Sequence, residues 1–418
     1  MADQPATGFS RRRMLAGMGA ATATAAVALS PATAQAAPRP GPADGWVGTW
    51  GTAPADAVAN TPNGYPNYSI RNTLHASIGG RAARVRLSNA FGATPVVFGH
   101  VTIALATGPN TPAARPGSLR DLTFGGQRSI TVPNGGEVLS DPAELAIPTG
   151  ADLLVTTYVP SPSGPVTYHP DAQQNSFFAT DGDVTDNVDG TAFTQTTQVW
   201  HYLNEVDVLA PTALGSIVAF GDSITDGYQS TFGANHRWPD FLAARIAREP
   251  AHAQFGVLNA GIGGNRLLLD DGGDFGPNAL SRFDRDVLAK TGARTMIVLL
   301  GINDIQQTPN QTDPNQIIAA HRQLISQARV RGLRALGGTI TPFQGWTDYS
   351  PTLEATRAAV NSWIRTGGGY DGVVDFDAAI RDPADPQAML AGYDSGDHLH
   401  PDDAGYQAMA NAIPLRLL

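Results

Sequence analysis

One serine in this chain lies where a nucleophile would be expected. Ser223 follows residues 216–220, a short apolar run typical of a buried strand, and glycines at positions 221 and 227 permit a tight turn around it. A side chain on that turn would project from the carboxyl edge of a sheet, where open α/β folds bind their ligands. Gly-Asp-Ser is also ordinary turn chemistry, so the other residues of the chain must decide between these two interpretations.

Three further clusters follow along the chain, and each could supply one part of an acyl-transfer site. Residues 259–265 form a glycine-rich stretch after an apolar run and would expose backbone N–H groups. Asn303 follows residues 296–300, the most apolar strand candidate, and its amide can donate a hydrogen bond without adding charge. Asp397 and His400 lie close to the C-terminus, three residues apart.

These residue types fit nucleophilic catalysis. A serine hydroxyl attacks poorly until a base removes its proton, and a histidine that titrates near neutrality is the usual base. The oxyanion that forms on the carbonyl needs preorganised donors, and the loss of one donor typically lowers turnover ~10²–10³-fold. The sequence therefore favours transfer of an acyl group through a serine ester.

In their order and strand context, the four clusters resemble the four conserved blocks of the SGNH (GDSL-type) serine hydrolases, over roughly the C-terminal half of the chain. The resemblance implies that Ser223 is the nucleophile, that His400 is the general base and that Asp397 orients the imidazole. It also implies an oxyanion hole formed by the backbone N–H of Ser223, the backbone N–H of Gly264 and the side-chain amide of Asn303.

Each of these residues also has a purely structural interpretation. Asn303 could cap a helix after its strand, and Asp397 could be a surface carboxylate. Gly264 could be one more loop glycine in a chain that contains 46. Because all four blocks occur together and in order, catalysis is the favoured interpretation.

Two neighbouring residues compete for the roles near the C-terminus. His398 could replace His400 as the base, and Asp394 could replace Asp397 as the acid. His400 is favoured because it lies three residues after an aspartate and precedes a proline, as in the family. His398 is expected to have a supporting or solvent-facing role.

Other kinds of site lack their motifs. The glycine-rich stretch after residue 258 does not complete the GxGxxG spacing of dinucleotide-binding folds, and no GxxxxGK[ST] phosphate loop occurs. The chain has no HExxH motif and no cysteine, so the aspartate and histidines near the C-terminus are assigned to serine chemistry and not to a metal. We expect no cofactor and no metal.

The first 36 residues have the pattern of an export signal. Arginines occupy positions 11–13, an uncharged stretch covers 16–29, and Ala34-Gln35-Ala36 fits a small-residue cleavage site. We expect export by the twin-arginine route, cleavage after Ala36, and a secreted mature chain without a membrane segment. The absence of cysteine agrees with folding in a reducing cytoplasm before export.

The overall charge limits the range of partners. The chain carries 27 basic and 37 acidic residues, which gives a formal net charge of −10. An acidic surface argues against nucleic acid and against strongly anionic polymers as partners. We expect a monomer that acts on a small ester or an acylated polysaccharide.

The sequence pattern of residues 37–208 is typical of a β domain. Alternating or β-branched runs at 84–87, 101–105 and 153–159 are typical of strands, and turn clusters separate them. We predict an antiparallel, jelly-roll-like β-sandwich, similar to the β-rich domain that some secreted bacterial SGNH hydrolases carry, with its role left open. A mature chain of about 380 residues is long enough for two domains, which we expect to pack together.

Residues 209–418 alternate between strand and helix patterns and predict the catalytic domain. The expected elements are helices at 238–248, 313–332 and 351–365 and strands at 333–340 and 373–376. Such connections predict a parallel sheet covered by helices on both faces, a three-layer α/β/α, flavodoxin-like domain. His321, on the apolar stripe of the second helix, is expected to be a packed core histidine.

Loops that follow these strands would line the substrate pocket. The expected lining residues are Tyr228, Trp238, Asn265, Arg266, Phe343 and Trp346. The aromatic side chains among them could stack on a sugar or line an acyl pocket. Because no lid-like apolar run is visible, we predict an esterase for short-chain or carbohydrate-linked acyl groups. The alternatives are lipase or lysophospholipase activity on longer acyl chains, and a polysaccharide-directed enzyme or binding protein that uses the β domain.

Overall fold

Alternating residues in the first half of the chain form short strands that pair antiparallel. The computed structural model describes residues 44–249, 254–270 and 273–418, and the predicted export signal and its cleavage site lie outside these ranges. The strands of this β-rich part are β1 (Trp46–Gly51), β2 (Asp56–Ala57), β3 (Tyr68–His75), β4 (Gly80–Ser88), β5 (Val96–Phe98), β6 (His100–Leu105), β7 (Arg120–Asp121), β8 (Ile130–Val132), β9 (Glu137–Leu139), β10 (Ala143–Ile147), β11 (Asp152–Val159), β12 (Thr167–His169), β13 (Ser176–Ala179), β14 (Gln195–Thr197), β15 (Trp200–His201) and β16 (Leu203–Leu209).

Two larger sheets form the body of the β-rich part. One has the strand order β1-β16-β4-β10, with β9 also paired to β4, and the other has the order β14-β13-β3-β11-β6-β7. Val85 and Val206 of the first sheet belong to the same buried cluster as Ile103 and Val155 of the second, so the sheets pack face to face. The prediction of an antiparallel β-rich region is confirmed.

The second half of the chain forms a parallel sheet. Its strands are β17 (Gly215–Gly221), β18 (Phe255–Gly261), β19 (Ala293–Leu299), β20 (Arg334–Gly338) and β21 (Gly372–Val374). They pair in the order β18-β17-β19-β20-β21, and every pairing is parallel. β17 is buried along its whole length, so both of its faces are covered, as in a sheet between two layers of helices. The predicted parallel α/β fold is confirmed.

Helices connect these strands. They are α1 (Ser223–Asp226), α2 (Trp238–Arg248), α3 (Ala279–Phe283), α4 (Ile302–Gln306), α5 (Pro314–Val330), α6 (Pro351–Thr366), α7 (Phe376–Ile380) and α8 (Asp403–Ala412). α2 begins and ends where the sequence predicts, and His321 of α5 is fully buried, as expected. In the described ranges, no helix combines the length and the apolar run that a membrane crossing requires.

The last strand is shorter than the predicted segment 373–376. β21 ends at Val374, and the Asp375 side chain instead accepts a hydrogen bond from the backbone N–H of Ala378 at 3.1 Å. Phe376 is fully buried as the first residue of α7. The capping aspartate therefore ends the strand and begins a helix.

The two parts of the described chain meet where β1 runs beside β18, an edge strand of the parallel sheet. A Cβ added at Gly256 would lie 2.0 Å from the carbonyl oxygen of Gly48, so this approach requires glycine. Lys290, the single lysine of the chain, is 4% exposed. Its ammonium donates to the carbonyl oxygens of Thr52 at 2.9 Å and Asn204 at 3.0 Å, which ties the two parts together.

Candidate active site

The turn after β17 presents Ser223 at the carboxyl edge of the parallel sheet. Ser223 is the first residue of α1, and the Asp222 side chain caps that helix by accepting from the backbone N–H of Ile224 at 3.1 Å. Gly227 ends the short helix with a φ of +98°, a conformation that favours glycine. A Cβ added at Gly221 would lie 2.0 Å from Thr225 Oγ1, so the start of the turn also requires glycine.

The structure brings Ser223, His400 and Asp397 into one line. Ser223 Oγ lies 2.8 Å from His400 Nε2, and His400 Nδ1 lies 2.7 Å from Asp397 Oδ2. Because an ionised carboxylate only accepts, the ring proton belongs on Nδ1 and Nε2 is free to accept from the serine hydroxyl. This is the arrangement in which a histidine can remove the proton of a serine.

Asp397 is held as a carboxylate. Burial alone would raise the pKa of Asp397, but the hydrogen bond from the His400 ring outweighs it, together with those from the backbone N–H groups of His400 and Leu399. The two backbone bonds to Asp397 Oδ1 measure 2.8 Å and 2.9 Å. The net effect is a pKa well below the usual range of an aspartate, so Asp397 is ionised wherever the histidine can act as a base.

Replacement of Asp397 by asparagine should lower the free energy of unfolding at neutral pH and have a smaller effect in acid. The folded-state pKa of Asp397 is lowered, so its ionised form stabilises the fold above the ordinary aspartate pKa of about 4. As the pH falls toward the folded-state pKa, protonation removes this contribution, and the wild type and the variant should converge. Denaturant unfolding of both proteins between about pH 2 and pH 7 measures the difference. A difference that grows in acid would contradict the assignment.

The competing pair does not reach the serine. His398 Nδ1 lies 2.6 Å from Asp394 Oδ2, and the His398 side chain is 52% exposed. The residue has a φ of +66°, which is uncommon outside glycine. The structure therefore places His400, and not His398, against Ser223.

The N–H groups of Ser223, Gly264 and Asn303 each keep a hydrogen that no described residue accepts. Within the described part of the chain, the backbone N–H groups of Ser223 and Gly264 donate to no protein atom. Asn303 Oδ1 accepts from the side-chain amides of Gln306 at 2.9 Å and Gln307 at 3.2 Å, which fixes the orientation of the amide. Among the described residues its NH₂ group donates once, to the backbone carbonyl of Asn265 at 3.1 Å, so a second hydrogen is available for an oxyanion.

The turn at Gly264 and the start of α4, which carries Asn303, both require glycine. A Cβ added at Gly264 would lie 2.4 Å from the ring of Phe275, and Gly264 has a φ of +69°. Gly301 precedes α4 with a φ of +119° and is the capping residue of that helix. Asn303 is thus not the cap, and its amide is left for another role.

Two of the predicted pocket residues flank the base. The ring centroid of Tyr228 lies 4.8 Å from that of His400, and Tyr228 is 40% exposed. The Trp346 centroid lies 6.2 Å away, and its indole N–H donates to Gln306 Oε1 at 3.0 Å. The planes of the two rings make angles of 64° and 88° with the imidazole, so both rings pack against His400 at a steep angle.

The other predicted pocket residues lie in the interior. Asn265 and Arg266 are 1% exposed, and Trp238 and Phe343 are fully buried. Asn265 donates to the carbonyl oxygen of Phe275 at 2.8 Å, which braces the glycine-rich loop. These four side chains support the loops and the core and do not form the surface of the site, contrary to the prediction.

Arg282 joins the strand ends beneath the site, and no sequence motif marked it. Its guanidinium donates to the carbonyl oxygens of Gly221 at 2.8 Å and Ala260 at 2.9 Å, and its Nε–H donates to Asn265 Oδ1 at 3.0 Å. Burial lowers the pKa of Arg282 to about 10, although Asp286 at 3.1 Å acts in the opposite direction. The group is still a cation at neutral pH.

The β-rich part also reaches the site, through residues that sequence reasoning missed. His169 Nε2 lies 3.1 Å from Asp226 Oδ1, and Asp226 is the last residue of the helix that begins at Ser223. Burial lowers the pKa of His169, but the Asp226 carboxylate more than compensates, so the net shift is upward. The Tyr168 hydroxyl donates to the carboxylate of Asp274 in the 3₁₀ turn Gly273–Phe275.

One group of possible metal ligands occurs in the described residues, and it lies in the β-rich part. One ligand atom from each of His100, Asp121 and Asp186 lies within 4.8 Å of the others. The guanidinium of Arg128 is 2.7 Å from His100 Nδ1, so a protein cation already stands among these side chains.

A family model matches the region that contains the Ser-His-Asp line. Residues 219–408 match the GDSL-like Lipase/Acylhydrolase family. No match was found among the curated proteins.

Several solved structures are similar to about half of this chain, each with low sequence identity. The native aryl esterase of M. smegmatis is 20% identical over 47% of this chain and 95% of its own length, with a TM-score of 0.38. A carbohydrate acetylesterase from Sinorhizobium meliloti is 16% identical over 47% of this chain and 95% of its own, with a TM-score of 0.37. A GDSL-like lipase from Bacteroides thetaiotaomicron is 15% identical over 47% and 84%, with a TM-score of 0.34. Residues 219–408, which contain Ser223, Asn303, Asp397 and His400, therefore form a GDSL-like lipase/acylhydrolase domain.

Proposed function

We propose that this chain is an exported serine esterase that hydrolyses carboxylic esters through an acyl-enzyme on Ser223. The observation that carries the proposal is the line of two hydrogen bonds, 2.8 Å from Ser223 Oγ to His400 Nε2 and 2.7 Å from His400 Nδ1 to Asp397 Oδ2. The available N–H groups of Ser223, Gly264 and Asn303 supply the donors that a tetrahedral oxyanion requires. The arginines and small-residue site of the first 36 residues support export.

Acylation begins when Ser223 Oγ attacks the carbonyl carbon of the ester and its proton moves to His400 Nε2. The carbonyl electron pair moves onto the oxygen, where the three N–H donors stabilise the negative charge. When this intermediate collapses, the carbonyl re-forms and the bond to the alcohol oxygen breaks. The alcohol leaves with the proton from His400.

Deacylation repeats these steps with water. A water molecule loses a proton to His400 and attacks the acyl carbonyl, and the bond to Ser223 Oγ then breaks. The serine regains the proton from His400, and the carboxylic acid leaves. Asp397 stays ionised throughout, because its pKa is low, and it stabilises the imidazolium that forms in each half-reaction.

Short-chain or carbohydrate-linked acyl groups fit the surface of the site best. Among the described residues, the strongly exposed large apolar side chains are Tyr228, Phe232, Leu269, Phe275 and Val330. Of these, Tyr228 packs against His400, and Phe275 lies against Gly264. Burial of one methylene group contributes about 0.8 kcal/mol to binding. A long acyl chain would need more apolar surface than these two rings provide to bury all of its methylene groups.

The test is a series of p-nitrophenyl esters from acetyl to palmitoyl, with protein recovered from the medium of an expressing host. N-terminal sequencing of that protein should begin at Ala37. We expect kcat/KM to be at least roughly tenfold higher for the acetyl and butyryl esters than for the palmitoyl ester. Acetylated xylan serves as the polymer substrate, and it should release acetate without any change in glycan length.

Other outcomes would point to the alternatives. Activity that rises toward the palmitoyl ester would favour a lipase, and a shortened glycan would favour cleavage of the polysaccharide itself. If the protein releases no acid from any of these esters, the esterase proposal is wrong.

A further inference from the structure

The segment of residues 168–172, here called the bridging segment, connects the β-rich part to both sides of the proposed active site. His169 contacts Asp226 on the helix that begins with the nucleophile, at 3.1 Å. The Tyr168 hydroxyl donates to Asp274, in the turn whose Phe275 packs against Gly264. These contacts fix the bridging segment against both the nucleophile turn and the oxyanion loop.

Asp171, within the bridging segment, lies beside the oxyanion loop. A Cβ added at Gly263 would be 3.0 Å from Asp171 Oδ2, and Gly263 directly precedes Gly264. The same loop packs on the nucleophile turn, because the backbone N–H of Ile262 donates to the carbonyl oxygen of Gly221 at 3.2 Å. The carboxylate of Asp171 therefore lies beside the residue that precedes Gly264, a proposed oxyanion donor.

The protein leaves this carboxylate without a hydrogen-bond donor. Asp171 accepts no hydrogen bond from any described residue, although it is partly buried. Burial raises the pKa of Asp171 to about 6, and the neighbouring charge of Asp226 adds to this effect. At neutral pH the group is therefore a carboxylate with all of its acceptor positions open.

Substrate hydroxyl groups match this environment better than other ligand chemistry. An anionic group beside the oxyanion loop would be repelled by the carboxylate of Asp171. A purely apolar substrate would leave the carboxylate desolvated and unpaired, which costs free energy. A hydroxyl donates a charge-assisted hydrogen bond, and the rings of Tyr228 and Trp346 beside His400 can contact the face of a sugar.

We propose that Asp171 accepts hydrogen bonds from hydroxyl groups next to the scissile ester, so that the β-rich part selects esters of sugars and other polyols. The inference rests on the proposed esterase function and names its substrate class. It makes Asp171 a specificity-determining residue of the site, supplied by a part of the chain that contains none of the four sequence blocks. Because Asp171 lies beside Gly263, the hydroxyl that it binds would be one close to the ester carbonyl.

The test compares two substrates that differ only in their hydroxyl groups. One is a methyl xyloside that carries a single acetyl ester and free neighbouring hydroxyls, and the other is the same acetyl ester with those hydroxyls methylated. For Asp171→Ala in the full chain, kcat/KM for the free-hydroxyl ester should fall roughly 10- to 100-fold, the usual worth of a hydrogen bond to a charged group. Its kcat/KM for the methylated ester and for p-nitrophenyl acetate should change less than about threefold.

Two further variants separate recognition from structure. Asp171→Asn keeps an acceptor oxygen, so it should retain part of the preference for the free-hydroxyl ester. Asp181→Ala removes an exposed aspartate of the same part of the chain and should leave the preference unchanged. Thermal unfolding of each variant shows whether the fold is intact.

An unchanged preference in Asp171→Ala would overturn the inference. Equal losses on both acetyl esters would overturn it too, since Asp171 would then act only by supporting the site. If the wild type hydrolyses p-nitrophenyl acetate but does not prefer the free-hydroxyl ester, the inference fails while the proposed function stands. If the wild type hydrolyses none of the esters, the proposed function fails and this inference fails with it.

Discussion

Replacement of Ser223 by alanine is expected to lower ester turnover by roughly 10⁴–10⁶-fold. The change removes the oxygen that lies 2.8 Å from His400 Nε2, so no acyl-enzyme can form. The oxyanion donors and the binding surface remain, and they account for a residual acceleration over water. Steady-state hydrolysis of p-nitrophenyl acetate measures the loss, and intact-protein mass spectrometry of the wild type should show the added acyl group.

Ser230 provides a matched control for this experiment. Like Ser223 it is 7% exposed, and its hydroxyl donates to the carbonyl oxygen of Gly227 at 2.7 Å, on the same turn. Ser230→Ala should lower the free energy of unfolding by about 1 kcal/mol and leave kcat/KM nearly unchanged. A Ser223→Ala protein that turns over esters at the wild-type rate would show that another group is the nucleophile.

Removal of residues 37–208 is expected to leave an insoluble and inactive remainder. β1 packs on one face of β18, an outer strand of the parallel sheet, and the deletion would expose that face to association with other chains. Leu258 of that strand is fully buried and packs against Gly48 and Gly51, so it would be exposed as well. Lys290 would lose the carbonyl acceptors of the β-rich part that hold its ammonium.

The deletion would also disturb the nucleophile turn. Asp226 is 2% exposed and would lose the His169 ring, which lies 3.1 Å from its carboxylate. A buried polar group left without its hydrogen-bond partner typically costs about 1–3 kcal/mol. The measurement is the soluble fraction after expression, with ester turnover per mole of soluble protein, and the comparison is a chain of residues 37–418. A soluble fragment with full activity would contradict the expectation and would make the β-rich part separable.

Much of the fold follows from local patterns. The bounds of α2 could be predicted because Phe241, Leu242 and Ile246 lie on one face of a helix, and Leu242 and Ile246 are buried. The apolar run before Ser223 likewise predicts β17. The prediction of a strand through Phe376 was wrong, because an apolar run does not show where a capping residue will redirect the backbone. Asp375 decides that locally through its bond to the N–H of Ala378.

Some residues of the proposed site could also be predicted from the sequence, and others could not. Ser223 and His400 could be predicted because each lies in a short motif, and their contact over 177 residues follows once the motifs share one sheet edge. His169 could not be predicted, since its partner Asp226 lies 57 residues away on α1, in the other part of the fold. Arg282 is a similar case. Its role depends on three carbonyl or amide oxygens that only the folded strand ends bring together.

The burial of Lys290 has a practical chemical consequence. It is the single lysine of the chain, and its ammonium lies between the two parts of the fold, bonded to backbone carbonyls. Positive charge on the folded surface is therefore carried by arginine, whose guanidinium stays protonated and does not react with activated esters or aldehydes under mild conditions. Reagents that couple to primary amines would react with the terminal amino group, because the one lysine side chain is buried. They would attach the folded protein to a support through one end of the chain, with the serine site left unmodified.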